Sequence, residues 1–157
     1  MPLRDNAVDA AVSCHVFYHI PEKKQAQAFE EIARVTKGGH DAFVVYKWNY
    51  SPIQNRLIKL AKLCGTERPL DVQPSQGETP ELYFHAFDSC WFEGQRWSFN
   101  YEFLSYRIID NGFMKRFVGD GLVSKAFLKG AWILQRLFPK WCGRFGIYPL
   151  IHIKPKS

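Results

Sequence analysis

The sequence predicts an α/β fold with a mixed sheet of about four strands. Two observations carry that prediction. First, a short apolar run at residues 8–13 is followed by a helical period over 22–36 and a second apolar run over 41–47. A strand, a helix of about four turns and another strand make a right-handed crossover, which requires parallel pairing. Second, residues 97–109 alternate in strand fashion, and residues 147–153 are a final apolar run.

Each element has its own reasons. Residues 8–13 (VDAAVS) lack helical punctuation and read as a buried strand. Pro21 suits the opening of a helix. In the helix that follows, Phe29, Ile32, Ala33 and Thr36 share one face. Glu22 and Lys37 sit at the ends the helix dipole favours, and Gly38-Gly39 is expected to stop the helix in a left-handed cap. Residues 52–63 form a second helix on the spacing of Ile53, Leu57, Ile58 and Ala61. Pro69, Pro74, Gly77 and Pro80 make residues 65–80 a loop.

Residues 82–92 are aromatic-rich and read as neither helix nor strand. In residues 97–109, Phe99, Tyr101, Phe103 and Ser105 fall on one side of a strand. Residues 122–138 form a long helix, with Leu122, Ala126, Ile133 and Leu137 on an apolar side and Lys125, Lys129 and Arg136 beside Trp132. Pro149 points to an edge position or a bulge in the last strand.

Composition narrows the function classes. At 157 residues, with 46% hydrophobic and 16% aromatic side chains, the chain is one domain with a real core. Its +6 charge is spread without a basic run, so no nucleic-acid partner is expected. Cys14, Cys64, Cys90 and Cys142 are isolated, which suits free thiols. With no signal-peptide core or membrane-length apolar stretch, the expected location is cytoplasmic. His15 and His19 stand four apart without a third ligand nearby, so no metal is expected.

Three blocks carry a family resemblance: residues 3–13 with Asp5-Asn6-Ala7-Val8-Asp9, then His19-Ile20-Pro21, then Glu31-Ile32-Ala33-Arg34-Val35. In order and spacing they resemble the middle of the type 11 domain of class I S-adenosylmethionine-dependent methyltransferases. Val8 departs from the aromatic usual before Asp9, and Thr36-Lys37-Gly38-Gly39 stands for Leu-Lys-Pro-Gly-Gly. The strong match covers about a quarter of the chain; the rest is similar in layout.

The resemblance implies a partial Rossmann-like methyltransferase fold, the C-terminal half with a helical insertion, as a single domain over 1–157. It implies methyl transfer from S-adenosylmethionine to an unidentified acceptor. Ser13, Cys14 and His15 would lie beside the cofactor, and His19 near the transferred methyl, unless that ring only holds the bend before the helix. Lys47, Trp48 and Asn49 would face the acceptor, unless Trp48 is packing.

In such enzymes the main grip on the cofactor is a glycine-rich loop after a first strand. The one Gly-x-Gly here, Gly119-Asp120-Gly121, reads as a helix cap. The family's loop is expected upstream of Leu3, so this chain alone is expected to be inactive and to bind S-adenosylmethionine weakly. Strand 8–13 would then be an exposed apolar edge. The alternative is a non-catalytic membrane-surface or partner-binding module, with peripheral membrane contact through residues 122–138.

Overall fold

A computed structural model describes residues 2–63, 65, 83–119 and 121–156. The chain order is β1 (Val8–Cys14), a 3-10 turn (Phe17–His19), α1 (Glu22–Val35), β2 (Thr36–Val45), α2 (Pro52–Leu63), α3 (Ser89–Gly94), β3 (Asn100–Arg107), α4 (Asn111–Phe117), α5 (Leu122–Leu137), α6 (Pro139–Phe145) and β4 (Tyr148–Lys154). The four strands form one sheet in the order β1-β2-β4-β3. β1 and β2 pair in parallel across α1, while β4 runs antiparallel to both β2 and β3. The fold is therefore the expected mixed α/β sheet. The expected loop at residues 65–80 lies, apart from Gly65, outside the described residues, as does Cys64.

The period-2 alternation of the strands puts one face of the sheet against α1 and α3. Ala42, Val44, Tyr46, Phe103, Ile151 and Ile153 meet Phe29, Ile32 and Phe92 there in the main core. Fully burying one such aromatic is worth about 2–3 kcal/mol, and Phe29 packs edge-on against Phe92 with ring centroids 5.0 Å apart. A second, smaller cluster holds Ile108, Ile109, Phe113 and Cys142 against α2, α4 and α5.

Two local expectations are corrected and a third is narrowed. Gly38-Gly39 does not cap α1: the helix stops at Val35, and Thr36 is already extended. Thr36 donates its Oγ1 hydroxyl to the Ile32 carbonyl at 2.8 Å, satisfying one of the helix's last acceptors. The two glycines lie inside β2, where the register slips between Val8 and Ala10, and Gly39 adopts φ +77° in that irregularity.

Of the two places expected for Pro149 the bulge is the one found: β4 lies between β2 and β3, and β3 shifts register beside Pro149, between Ser105 and Arg107. The Pro149 carbonyl accepts from the Tyr46 amide at 3.1 Å, so the side of Pro149 that lacks an N–H faces the chain leaving β2. On α5, the side that packs inward is Phe127, Leu128, Ala131 and Leu134, whereas Leu122, Ala126, Ile133 and Leu137 are exposed. That helix is apolar on two sides, and periodicity alone could not say which one the core would take.

The family-like residues have plain structural work. Arg34 pairs with Glu31 at 2.8 Å, and it also bonds Asp5 and the Leu3 carbonyl. Asn6 sits at φ 52°, donates its amide to the Arg34 carbonyl and accepts from the Gly38 amide. Together they lock the entry of β1 to the exit of α1. β1 is left at the sheet edge, with Val12 68% exposed, beside an open groove of about 910 Å³ against α1. Among the described residues no helix is long and apolar enough to cross a membrane.

Candidate functional site

In parallel sheets, ligands gather beyond the carboxyl ends of the strands, where the connecting loops converge. Here that end is formed by the exits of β1 and β2. Because β4 and β3 run antiparallel, the start of β4 and the end of β3 join them.

His15 occupies the turn directly after β1. Its amide continues the ladder to the Val45 carbonyl at 3.1 Å, and its backbone is left-handed at φ 59°. A non-glycine residue in that region is uncommon, although histidine is among the types that tolerate it. The turn aims the imidazole into a ring of phenols: Tyr148 edge-on at 5.3 Å, Tyr106 at 5.8 Å and Tyr18 at 6.2 Å between centroids. Burial, and then the nearby Arg107 charge, hold His15 below its ordinary pKa, which favours the neutral ring.

Tyr18 and Tyr148 are shifted the other way. Burial raises Tyr18, with Tyr148 adding to it. Burial also raises Tyr148, helped by Asp110 and opposed by Arg107. Both stay protonated donors at neutral pH.

The second part of the site lies at the exit of β2. A polar cavity of about 190 Å³ is lined by Lys47, Asn49, Asn55, Phe84 and Asp110. Lys47 places its ammonium 5.1 Å from the centre of the Phe84 ring, and Phe84 in turn lies 5.2 Å from Tyr18. Asp110 is held in place: it accepts from Gln54 Nε2 at 3.0 Å and caps α4 through the Phe113 amide at 2.7 Å.

A buried network ties residues 83–88 onto this end. Gln25, completely buried, donates Nε2 to the carbonyls of Ile20 and His85 at 3.0 and 2.7 Å. Its Oε1 accepts from the Tyr46 hydroxyl at 2.6 Å, and that hydroxyl accepts from the Phe87 amide at 3.1 Å. Burial pushes the Tyr46 phenol up to about 12.

The residues singled out from sequence fall in different places. Ser13 is half-buried along the groove beside β1, Cys14 is exposed, and His15 is central to the phenol ring. His19 has its Nδ1 at 2.8 Å from the Tyr83 carbonyl, a contact that ties the bend to the segment at residues 83–88. The two histidines share no helix, because His15 is left-handed and His19 closes a 3-10 turn. Lys47 and Asn49 line the polar cavity. Trp48 is fully buried and donates Nε1 to the Gly143 carbonyl at 3.0 Å, so its ring belongs to the core.

Tyr18, Phe84, Tyr106, Arg107 and Tyr148 were not singled out. Tyr106 and Arg107 end one strand and Tyr148 begins another, so only the antiparallel pairing brings them to His15. The histidine-rich bend around Tyr18 was the one signal available.

Residues 1–43 match the family model described as "Methyltransferase domain". No curated protein sequence matches the chain. Among solved structures, one similar chain comes from the complex between the Haloferax volcanii Trm112 methyltransferase activator and a methyltransferase, at 15% identity and TM-score 0.46, covering 100% of this chain and 58% of that one. Another is the [4+2]-cyclase SpnF, at 18% identity and TM-score 0.44, covering 100% and 54%. A third is YcgJ from Bacillus subtilis, at 15% identity and TM-score 0.44, covering 100% and 68%.

The chain thus spans a little over half the length of the first two, 58% and 54%. At such TM-scores these likenesses say nothing about mechanism. The matched residues 1–43 build the strand, the bend, the cover helix and the start of the next strand. On that match, residues 1–43 are similar to part of a methyltransferase domain.

Proposed function

We propose that this chain serves S-adenosylmethionine-dependent methyl transfer at the carboxyl ends of β1 and β2. The observation that carries the reading is His15: a left-handed residue directly after β1, inside the family-matched segment, with its neutral imidazole turned into three phenols.

Ser13, Cys14 and His15 are the residues that would border the methionine part of the cofactor. When bound, that cofactor supplies an already activated methyl group. The aromatic faces around His15 suit a sulfonium, because a ring quadrupole attracts a cation. The fit is partial: the residues toward the methyl end are here, while Gly119 and Gly121 are spent elsewhere. Gly119 donates its amide to the Ser124 hydroxyl, and Gly121 precedes α5 as its N-cap. The main grip on the ribose and adenine is therefore assigned to a glycine-rich loop other than this pair.

The chemistry left to this chain is positioning and proton removal. Lys47 and Asn49 at the polar cavity, with Tyr18, Tyr106 and Arg107, would orient the acceptor. A neutral His15 can take a proton from an acceptor nucleophile, and lowering its pKa keeps it available near pH 7. His19, with Nδ1 engaged, retains Nε2 for the same duty and is the second candidate.

The test is a nuclear magnetic resonance titration of the whole chain with S-adenosylmethionine. Shifts confined to Ser13, Cys14, His15 and the Tyr18 bend, with affinity weaker than micromolar, are expected. No perturbation of those amides at millimolar cofactor would overturn the placement. A micromolar dissociation constant would overturn the assignment of the main grip to another segment.

A further inference from the structure

We infer that the outward face of α5 docks on an anionic lipid surface. α5 carries two apolar sides. One packs on the second core cluster through Phe127, Leu128, Ala131 and Leu134. The other points to solvent: Leu122 is 84% exposed, Leu137 65% and Ile133 41%. Phe138, between the two helices, and Trp141 in α6 are exposed as well.

A basic edge borders the stripe. At 100° per residue, Lys125, Lys129 and Arg136 fall together on one flank of Leu122, Ile133 and Leu137, with Trp132 beyond them. Lys125, Lys129 and Arg136 are all exposed, and among the described residues none has an ion-pair partner. Arg136 instead lies over the Trp132 ring at 5.2 Å. From Leu122 to the last residue the sequence contains no Asp or Glu, so Lys125, Lys129 and Arg136 meet no acid along α5, whereas Lys140 and Arg144 in α6 are paired with Glu102 and Glu93.

The charge pattern selects the occupant. A helix lying in a membrane interface buries an apolar stripe between acyl chains while flanking lysines and arginines reach the phosphates, and tryptophan sits at the boundary. Nucleic acid would use the basic edge but leave Leu122, Ile133 and Leu137 in water. An anionic bilayer satisfies both halves and requires no shaped pocket. The proposal is independent of methyl transfer, since none of these residues belongs to the site around His15.

Co-sedimentation of the full chain with phosphatidylcholine vesicles, with and without phosphatidylglycerol, tests it. Binding to the anionic vesicles alone is expected. K125Q/K129Q/R136Q should weaken it on the order of 100-fold, given the attraction of each basic side chain to an anionic surface. I133S/L137S should weaken it through the apolar half, with circular dichroism confirming that both variants keep their helices. Equal binding to neutral vesicles, unchanged binding by either folded variant, or anionic binding indifferent to high salt would overturn the proposal. So would a dimer in sedimentation velocity that I133S/L137S dissociates without any vesicle binding, because a second copy would then cover this face.

Discussion

His15 couples backbone geometry to side-chain chemistry. Its φ of 59° is open to asparagine or glycine, but a β-branched residue there is strongly strained. His15→Val is therefore expected to cost about 1–3 kcal/mol in urea unfolding, and His15→Asn less than about 1 kcal/mol. The sign of the pH effect follows from its lowered pKa. The unfolded ring takes up a proton as pH falls through its ordinary 6.5, whereas the folded ring resists it. Stability should drop between about pH 7 and pH 5, and His15→Asn should flatten that drop. An equally steep profile in His15→Asn would show that other groups govern it.

At the same scale, Asp5, Asn6 and Arg34 were legible in sequence as a family pattern. Only the structure shows them working as a clamp between β1 and α1.

Among the elements, sequence reading missed α3, α4 and α6, and of these α6 is pressed hardest onto the sheet. A Cβ at Gly143 would come within 2.5 Å of the Leu104 backbone, so the helix approaches β3 backbone to backbone. The same glycine offers its carbonyl to Trp48 Nε1, which joins α6 to the chain leaving β2. Gly143→Ala should therefore cost about 1–3 kcal/mol from overpacking. Gly130, in the middle of α5 with nothing near its would-be Cβ, is the control: Gly130→Ala should gain about 0.5–1 kcal/mol from helix propensity. Equal urea midpoints for the two variants would show that the close approach at α6 relaxes freely.

The elements read well from sequence were those with a clear period. α2 falls at residues 52–63 as the spacing implied, and β1, α1 and β3 differ from expectation only at their ends. Short helices such as α3 and α6 have too few turns to leave a periodic trace.

For the whole molecule, β1 sets the hazard. It is an edge strand, parallel to β2 on one side and open on the other, with Val12 exposed beside the α1 groove. Such an edge is a template for pairing with another chain. A charge on it should block that pairing: Val12→Lys is expected to lower self-association in light scattering while changing stability by no more than about 0.5 kcal/mol. Undiminished association in Val12→Lys would place the contact on another surface.

The sheet order β1-β2-β4-β3 also decides the surroundings of His15, because it delivers Tyr106, Arg107 and Tyr148 to the end at which β1 finishes. The partial Rossmann-like layout was foreseeable from one crossover unit and two further strands. The neighbours of His15 were not.

What the sequence by itself determined is local and periodic: which runs become strands or helices, the parallel crossover that α1 demands, and the family-like pattern over about the first quarter of the chain. Those follow from side-chain spacing and turn chemistry, which act over a few residues. Only the tertiary structure decided which of two apolar sides of α5 is buried, that Pro149 sits in an inner strand, that Trp48 is core, and that three distant tyrosines surround His15. Each of these depends on strand order and packing, and contacts between residues far apart in the chain leave no mark on the spacing within either one.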